Sequence, residues 1–208
     1  MPTPPDALDR ALHAPADPPL APLPPAVADL LRRLGAPPRL AAHLRAVHDV
    51  ARRLVAWAED RHPALGIDRE AVLFGAATHD IGKAVHPDEL SGPGSRHEEA
   101  GSVLLAAHGF PPGWARFAAT HATWTAPGVT LEDLLVSTAD KVWKNKRVPE
   151  LEDLVLARIT EATGRPRWEE FLALDELLEG LGRGGGARGP PPLDSETKSR
   201  KRATFSRR

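Results

Sequence analysis

The chain contains no cysteine and no tyrosine. Without cysteine there can be no disulfide, no thiolate metal site and no cysteine nucleophile. Aromatic residues make up only 5% of the 208 residues, so a core must be built mainly from Ala, Leu and Val, which favours helix. No apolar run approaches the roughly 20 residues that span a bilayer, so no membrane association is expected. The amino terminus shows no basic segment followed by an apolar core, which argues against a secretory leader and for a cytoplasmic location. No stretch alternates as a strand would, and no internal repeat is visible. Net charge is also small, at −1 from 27 basic and 28 acidic residues. Six of the basic residues crowd into residues 198–208, leaving 21 against 28 elsewhere. Nucleic acid is therefore an unlikely partner; only the basic tail has the charge density that binds polyanions through counterion release.

Proline, by contrast, is abundant. Nine of the 22 prolines fall in residues 1–25, which read as a disordered or extended arm because such a segment lacks periodicity and backbone donors. From residue 26 to 182 the pattern is that of one all-α domain. Val27–Leu34 reads as a short amphipathic helix closed by Gly35, and Pro37-Pro38 opens a longer one to about Arg61. There Leu40, His43, Val47, Val50, Leu54 and Trp57 recur at steps of three and four, so one apolar stripe carries His43 inward. His48, about 140° round the helix from His43, points elsewhere and reads as a surface or supporting residue. Asp68 caps a helix leading to His79, and residues 84–94 read as a loop with one helical turn at most. Ser95-Arg96-His97-Glu98 has the form of a capping box opening a helix that Gly109 stops. Further helices are expected over residues 113–122, from Thr130 past Asp140, over 151–163 and over 168–181. Residues 183–208, rich in Gly, Pro and basic side chains, read as an unstructured tail.

The chemistry gathers around Ala76-Ala77-Thr78-His79-Asp80-Ile81-Gly82-Lys83. Adjacent His and Asp lie about 100° apart on a helix, so both can lean toward one point only near a helix end. Gly82 reads as the residue that releases the chain from helical geometry. His43, His79, Asp80, His97, His121 and Asp140 all fall on expected helices or helix ends. Imidazole with carboxylate suits a divalent transition metal such as Fe, Mn, Co or Zn, whereas an all-oxygen site would favour Mg or Ca. Six ligands exceed what one ion needs, so two ions bridged by Asp80 are expected. His86, in the loop before Pro87, is a competing ligand. His62 and His108 read as surface or supporting residues and His13 as incidental.

The order His43, then His79-Asp80-Ile81-Gly82-Lys83, then His97 and His121, then Ala139-Asp140-Lys141 resembles the HD superfamily of metal-dependent phosphohydrolases over roughly residues 39–147. Carrying both His97 and His121 is similar to its binuclear, six-ligand branches. The resemblance implies an HD-domain helical bundle in which His43, His79, Asp80, His97, His121 and Asp140 hold the metals. It also implies hydrolysis of a nucleotide or related small phosphate ester by metal-activated water. Asp80 and Lys83 would be catalytic, Lys83 contacting the phosphate, with Lys144 and Arg147 as further phosphate ligands. Trp124 could stack on a base. Two other activities use similar ligands: an HD-type di-iron oxygenase, and a non-catalytic nucleotide-binding sensor. Cys-free ligands alone do not separate the three.

Overall fold

Proline sets where several helices begin. In the computed structural model, which describes residues 7–186, the helices α2 (Pro25–Arg33), α3 (Pro38–Arg61), α6 (Pro112–Thr120) and α8 (Pro149–Thr163) each start on proline. That first position needs no backbone donor and a φ near the helical value, both of which proline supplies. The remaining helices are α1 (Ala7–His13), α4 (Arg69–Thr78), α5 (Arg96–Ala107), α7 (Leu131–Val142) and α9 (Arg167–Gly186). Short 3-10 turns lie at Pro63–Leu65, Ile81–Ala84 and Pro87–Leu90. Among the described residues there is no strand, and no helix is long and apolar enough to cross a membrane.

The expected caps divide. Asp68 accepts from Ala71 N at 3.0 Å, and Thr130 with Asp133 forms a reciprocal capping box at the start of α7. Ser95 makes no side-chain cap at α5. The buried carboxylate of Glu89 takes that role, accepting from the backbone N–H of Arg96 at 3.3 Å and of His97 at 3.1 Å. A carboxylate satisfies two orphan donors where a serine hydroxyl satisfies one.

The helix α3 is the axis of the bundle. Every residue from Leu44 to Ala51 is buried, because α1, α4 and α7 all pack on it. His48 is accordingly only 5% exposed; it is not a surface residue, since this helix has no free side there. Two apolar clusters result. One joins Val47, Val50 and Leu54 to α4, α7, α8 and α9, with Phe117 between them. The other joins Leu40, Ala41 and Leu44 to α1, α2, α5 and Ile81.

The amino-terminal arm departs from expectation. Residues 1–6 lie outside the described residues, but Ala7–His13 is a helix whose Leu8 and Leu12 are buried in the second cluster. The segment after it is fixed by Arg45, which donates to the carbonyls of Ala14, Leu20 and Ala21 at 2.8–3.3 Å. Asp49 returns an acceptor to Ala21 N at 3.1 Å. Proline density argued for disorder; a spaced pair of leucines and a buried guanidinium outweigh it. At the other end α9 runs on to Gly186, and the rest of the basic tail lies outside the described residues.

Candidate metal centre

His79 and His121 are presented by one local device. Each is the residue at which a helix ends, α4 and α6 respectively, and each Nδ1 faces the carbonyl three residues back. The distances are 2.9 Å to Ala76 O and 3.0 Å to Ala118 O. A ring nitrogen facing a carbonyl must be the N–H, so Nε2 is left bare as a lone pair. His97, in the first turn of α5, is fixed differently: its Nδ1 donates to Glu89 Oε2 at 2.6 Å, again leaving Nε2 free. His43 completes the set from α3, its ring edge-on to His79 and to Trp143.

These nitrogens converge on the two carboxylates. His43 Nε2 lies 3.1 Å from Asp80 Oδ2 and 3.6 Å from Asp140 Oδ1. His79 Nε2 lies 3.7 and 3.5 Å from the same two oxygens, and 3.2 Å from His43 Nε2. On the far side His97 Nε2 lies 3.1 Å and His121 Nε2 3.5 Å from Asp80 Oδ1. The donors thus form two triplets, His43–His79–Asp140 and Asp80–His97–His121, with the ligand atoms of each within 4.8 Å of one another. The Nε2 lone pairs of His79, His97 and His121 point toward these carboxylate oxygens, an arrangement that a cation would stabilise. The donor set fits divalent transition metal ions.

Electrostatics favour the ligating forms of His43, His121, Asp80 and Asp140. Burial pushes the His43 imidazole below its ordinary value and takes His121 down to about 3, so both stay neutral. Burial opposes ionisation of Asp80 and Asp140, but the surrounding imidazoles, with Lys144 at Asp140, hold both well below the usual carboxylate range. His97 is also desolvated, yet Asp80 and Glu89 together raise it.

All six expected ligands are therefore brought together. Lys83 joins them, its Nζ 2.7 Å from Asp80 Oδ2, as does Lys144, 2.9 Å from Asp140 Oδ1. Arg147 does not: its guanidinium forks onto Glu152 and also meets Asp175 at 2.8 Å, so its charge is already matched between α8 and α9. His86 and His48 belong to neither triplet. His62 is buried but elsewhere, 2.8 Å from Glu170, a carboxylate that Arg61 and Arg165 also hold. His108 is exposed, with its ring Nδ1 facing Leu104 O at 2.9 Å.

Two contributors, Glu89 and Trp143, escaped the sequence reading, and a third, Lys141, entered it only within the Ala139-Asp140-Lys141 motif. Glu89 sits in a 3-10 turn, and its one sequence signal is a glutamate shortly before the helix that carries a ligand. Gly94 makes room for it, since a Cβ there would lie 2.3 Å from Glu89 Oε1. Lys141 was legible only as a lysine beside a ligand; its Nζ lies 2.8 Å from Asp140 Oδ2. Trp143 walls His43, with its Nε1 buried and unpartnered.

Four imidazoles and two carboxylates on an all-α scaffold form a buried His/Asp cluster that could hold metal ions. A family model for the HD domain matches residues 27–143, more than half the chain, and the protein belongs to the HD domain family, whose members are typically metal-dependent hydrolases. No curated protein and no solved structure matches the chain.

Proposed function

We propose that this protein is a metal-dependent phosphohydrolase acting on a nucleotide or related small phosphate ester. Two divalent transition ions would be held by His43, His79 and Asp140 on one side and by Asp80, His97 and His121 on the other. The observation that carries this reading is the Asp80 carboxylate, which turns Oδ2 toward one triplet and Oδ1 toward the other. When bound, such an ion pair supplies water of lowered pKa as nucleophile and charge neutralisation for the phosphate.

The chain's own groups do the rest. The bare Nε2 atoms of His79, His97 and His121 are oriented in advance, so no reorganisation accompanies ligation. Lys83, Lys141 and Lys144 rim the carboxylates and present three ammonium groups to an arriving anion. They would bind phosphate oxygens and stabilise charge developing on the leaving side. Trp124 is half-buried, with the Lys141 ammonium 5.5 Å from its ring centre, which supports an aromatic base lying beside the phosphate.

The test is phosphate release from nucleotides and dinucleotides with Mn, Co or Fe supplied, aerobically and anaerobically. Release independent of oxygen is expected, and Asp80→Ala should lower it by at least about a thousandfold while leaving the helical circular dichroism intact, since one carboxylate serves both triplets. Undiminished release in that variant would refute the site. Oxygen uptake without phosphate release would move the chemistry to an oxygenase.

A further inference from the structure

The chain has only five Trp and five Phe in 208 residues, yet three of these meet at one place away from the candidate metal centre. The Phe74 ring lies 4.9 Å from that of Phe110 and 5.1 Å from that of Trp114, centre to centre, and both pairs are tilted. With Val27 these rings line an apolar cavity of about 270 Å³. Its walls come from α2, α3, α4 and α6, with Phe110 just ahead of α6. The cavity shares no residue with the two ligand triplets or with Lys83, Lys141 and Lys144.

One buried polar side chain belongs to this wall. His48, 5% exposed, lines the cavity from α3, and its Nδ1 is buried without a partner. Buried polar atoms are nearly always hydrogen-bonded, so an orphaned one in a cavity wall marks where a ligand atom belongs. Water meets that need poorly, because it is held by two to four polar partners and the other polar side chain of the wall, Glu70, is exposed at the rim. Burial keeps the His48 imidazole neutral down to about pH 4, so it offers hydrogen bonding without charge.

We propose that this cavity is a binding site for a small neutral aromatic alcohol of the phenol class, its ring packed against Phe74, Phe110 and Trp114 and its hydroxyl paired with His48 Nδ1. An apolar cavity of about 150 Å³ suffices for benzene, so this one has room for a substituted single ring. Aromatic walls favour an aromatic occupant through offset and edge-on contacts. A hydroxyl both donates and accepts, so it matches Nδ1 in either tautomer, whereas an amide N–H or a carbonyl matches only one. Anions are excluded by charge. Among the described residues no Lys or Arg lines the cavity, and Glu70 stands at its edge. A carboxylate or phosphate entering there would lose its hydration without gaining a counter-charge. The occupant is therefore not the phosphorylated substrate of the lysine-rimmed centre.

The experiment is isothermal titration calorimetry of the full chain with p-cresol, toluene and 4-methylbenzoate, which share one ring and one methyl group. One equivalent of p-cresol is expected to bind with a Kd of about 10 μM to 1 mM. Toluene should bind about 2- to 10-fold more weakly, the worth of one hydrogen bond. No binding of 4-methylbenzoate is expected. His48→Leu should abolish or reverse the preference for p-cresol while toluene still binds, an outcome that a purely structural role for His48 would not produce. Leu73→Trp, which adds an indole to the cavity wall, should block both ligands, with far-UV circular dichroism reporting that the helices persist. A p-cresol Kd above about 1 mM would overturn the assignment, as would a p-cresol preference that His48→Leu leaves intact. Undiminished binding of both ligands in folded Leu73→Trp would put them elsewhere and overturn it likewise. Binding of 4-methylbenzoate as tight as that of p-cresol would overturn the choice of a neutral occupant. Should Leu73→Trp fail to fold, the His48→Leu comparison decides alone.

Discussion

His48 shows how burial and ligation separate within one helix. It stands five residues from His43 on α3, and the turn between them sends it to the other side, beside an apolar cavity of about 270 Å³ bordered by Val27, Leu73, Phe74 and Trp114. Its Nδ1 is buried without a partner. Burial pushes its pKa down to about 4, with Asp49 opposing and Arg52 reinforcing; Glu70 is the charged residue at the cavity's edge. Because the folded value is depressed, the unfolded chain takes up a proton below about pH 6.5 that the native ring refuses until about pH 4. The stability tied to this residue is thus intact above about pH 6.5 and lost on acidification through that window. His48→Leu removes both the titration and the orphaned nitrogen, so it should change stability at neutral pH by about 1 kcal/mol or less. Its stability should then fall less steeply with acid than the wild type, by up to about 1.4 kcal/mol per pH unit between pH 6.5 and 4. Chemical denaturation at several pH values gives the comparison, and parallel profiles would show that the ring titrates normally. Angular spacing alone was enough to separate His48 from the ligands. Its burial was not legible, because one helix's periodicity does not reveal how many neighbours surround it.

At the scale of elements, the 3-10 turn after Asp80 is what seats α5 against the ligand dyad. The glycine of His79-Asp80-Ile81-Gly82-Lys83 reads in sequence as a release from helical geometry. In the structure α4 has already ended at Thr78, and Gly82 is not in the left-handed region. Its function is close approach: a Cβ there would lie 2.0 Å from His97 O and 2.7 Å from Gly101 N. Both atoms are backbone, so no side chain can yield. Gly82→Ala should therefore drive α5 away from the turn, moving His97 relative to Asp80. A loss of about 3 kcal/mol, at the upper end for overpacking, is expected in denaturant titrations, together with weaker binding of the ion assigned to His97 and His121. Gly101→Ala, whose Cβ would meet Ala118 Cβ at 3.0 Å, should cost less, and equal effects would mean that the backbone contact is not the constraint. The helices themselves were legible because proline starts, the Asp68 and Thr130 caps and 3.6-residue periodicity agree. The convergence of the six candidate ligands was legible because each falls at an inward position or a helix end. What remained hidden is tertiary: Glu89 takes over the cap expected of Ser95 only because the Pro87–Leu90 turn brings it back onto α5.

For the molecule as a whole, the candidate metal centre lies where the two apolar clusters meet, with Leu40, Ala41 and Leu44 on one side of His43 and Val47 and Val50 on the other. One cluster is closed by α7, α8 and α9, the other by the amino-terminal arm. The arm is thereby part of the bundle's stability without being part of its chemistry. Leu12, 1% exposed, sits among α2 and α3 side chains, and the cavity left by Leu12→Ala should cost about 2–5 kcal/mol. Arg45→Met keeps the aliphatic bulk but strips three carbonyls of their donor, and should cost about 1–3 kcal/mol. The two losses share one limit, the free energy with which the arm docks, so the double variant should lose less than the sum of the singles. Neither change touches a ligand or the groups that orient one, so metal stoichiometry at the centre should match the wild type in every variant. Denaturant midpoints and metal analysis on the same preparations decide the matter. An unchanged midpoint in Leu12→Ala would mean that the arm does not contribute to the core, and metal loss that tracks stability would mean that the centre depends on the arm after all.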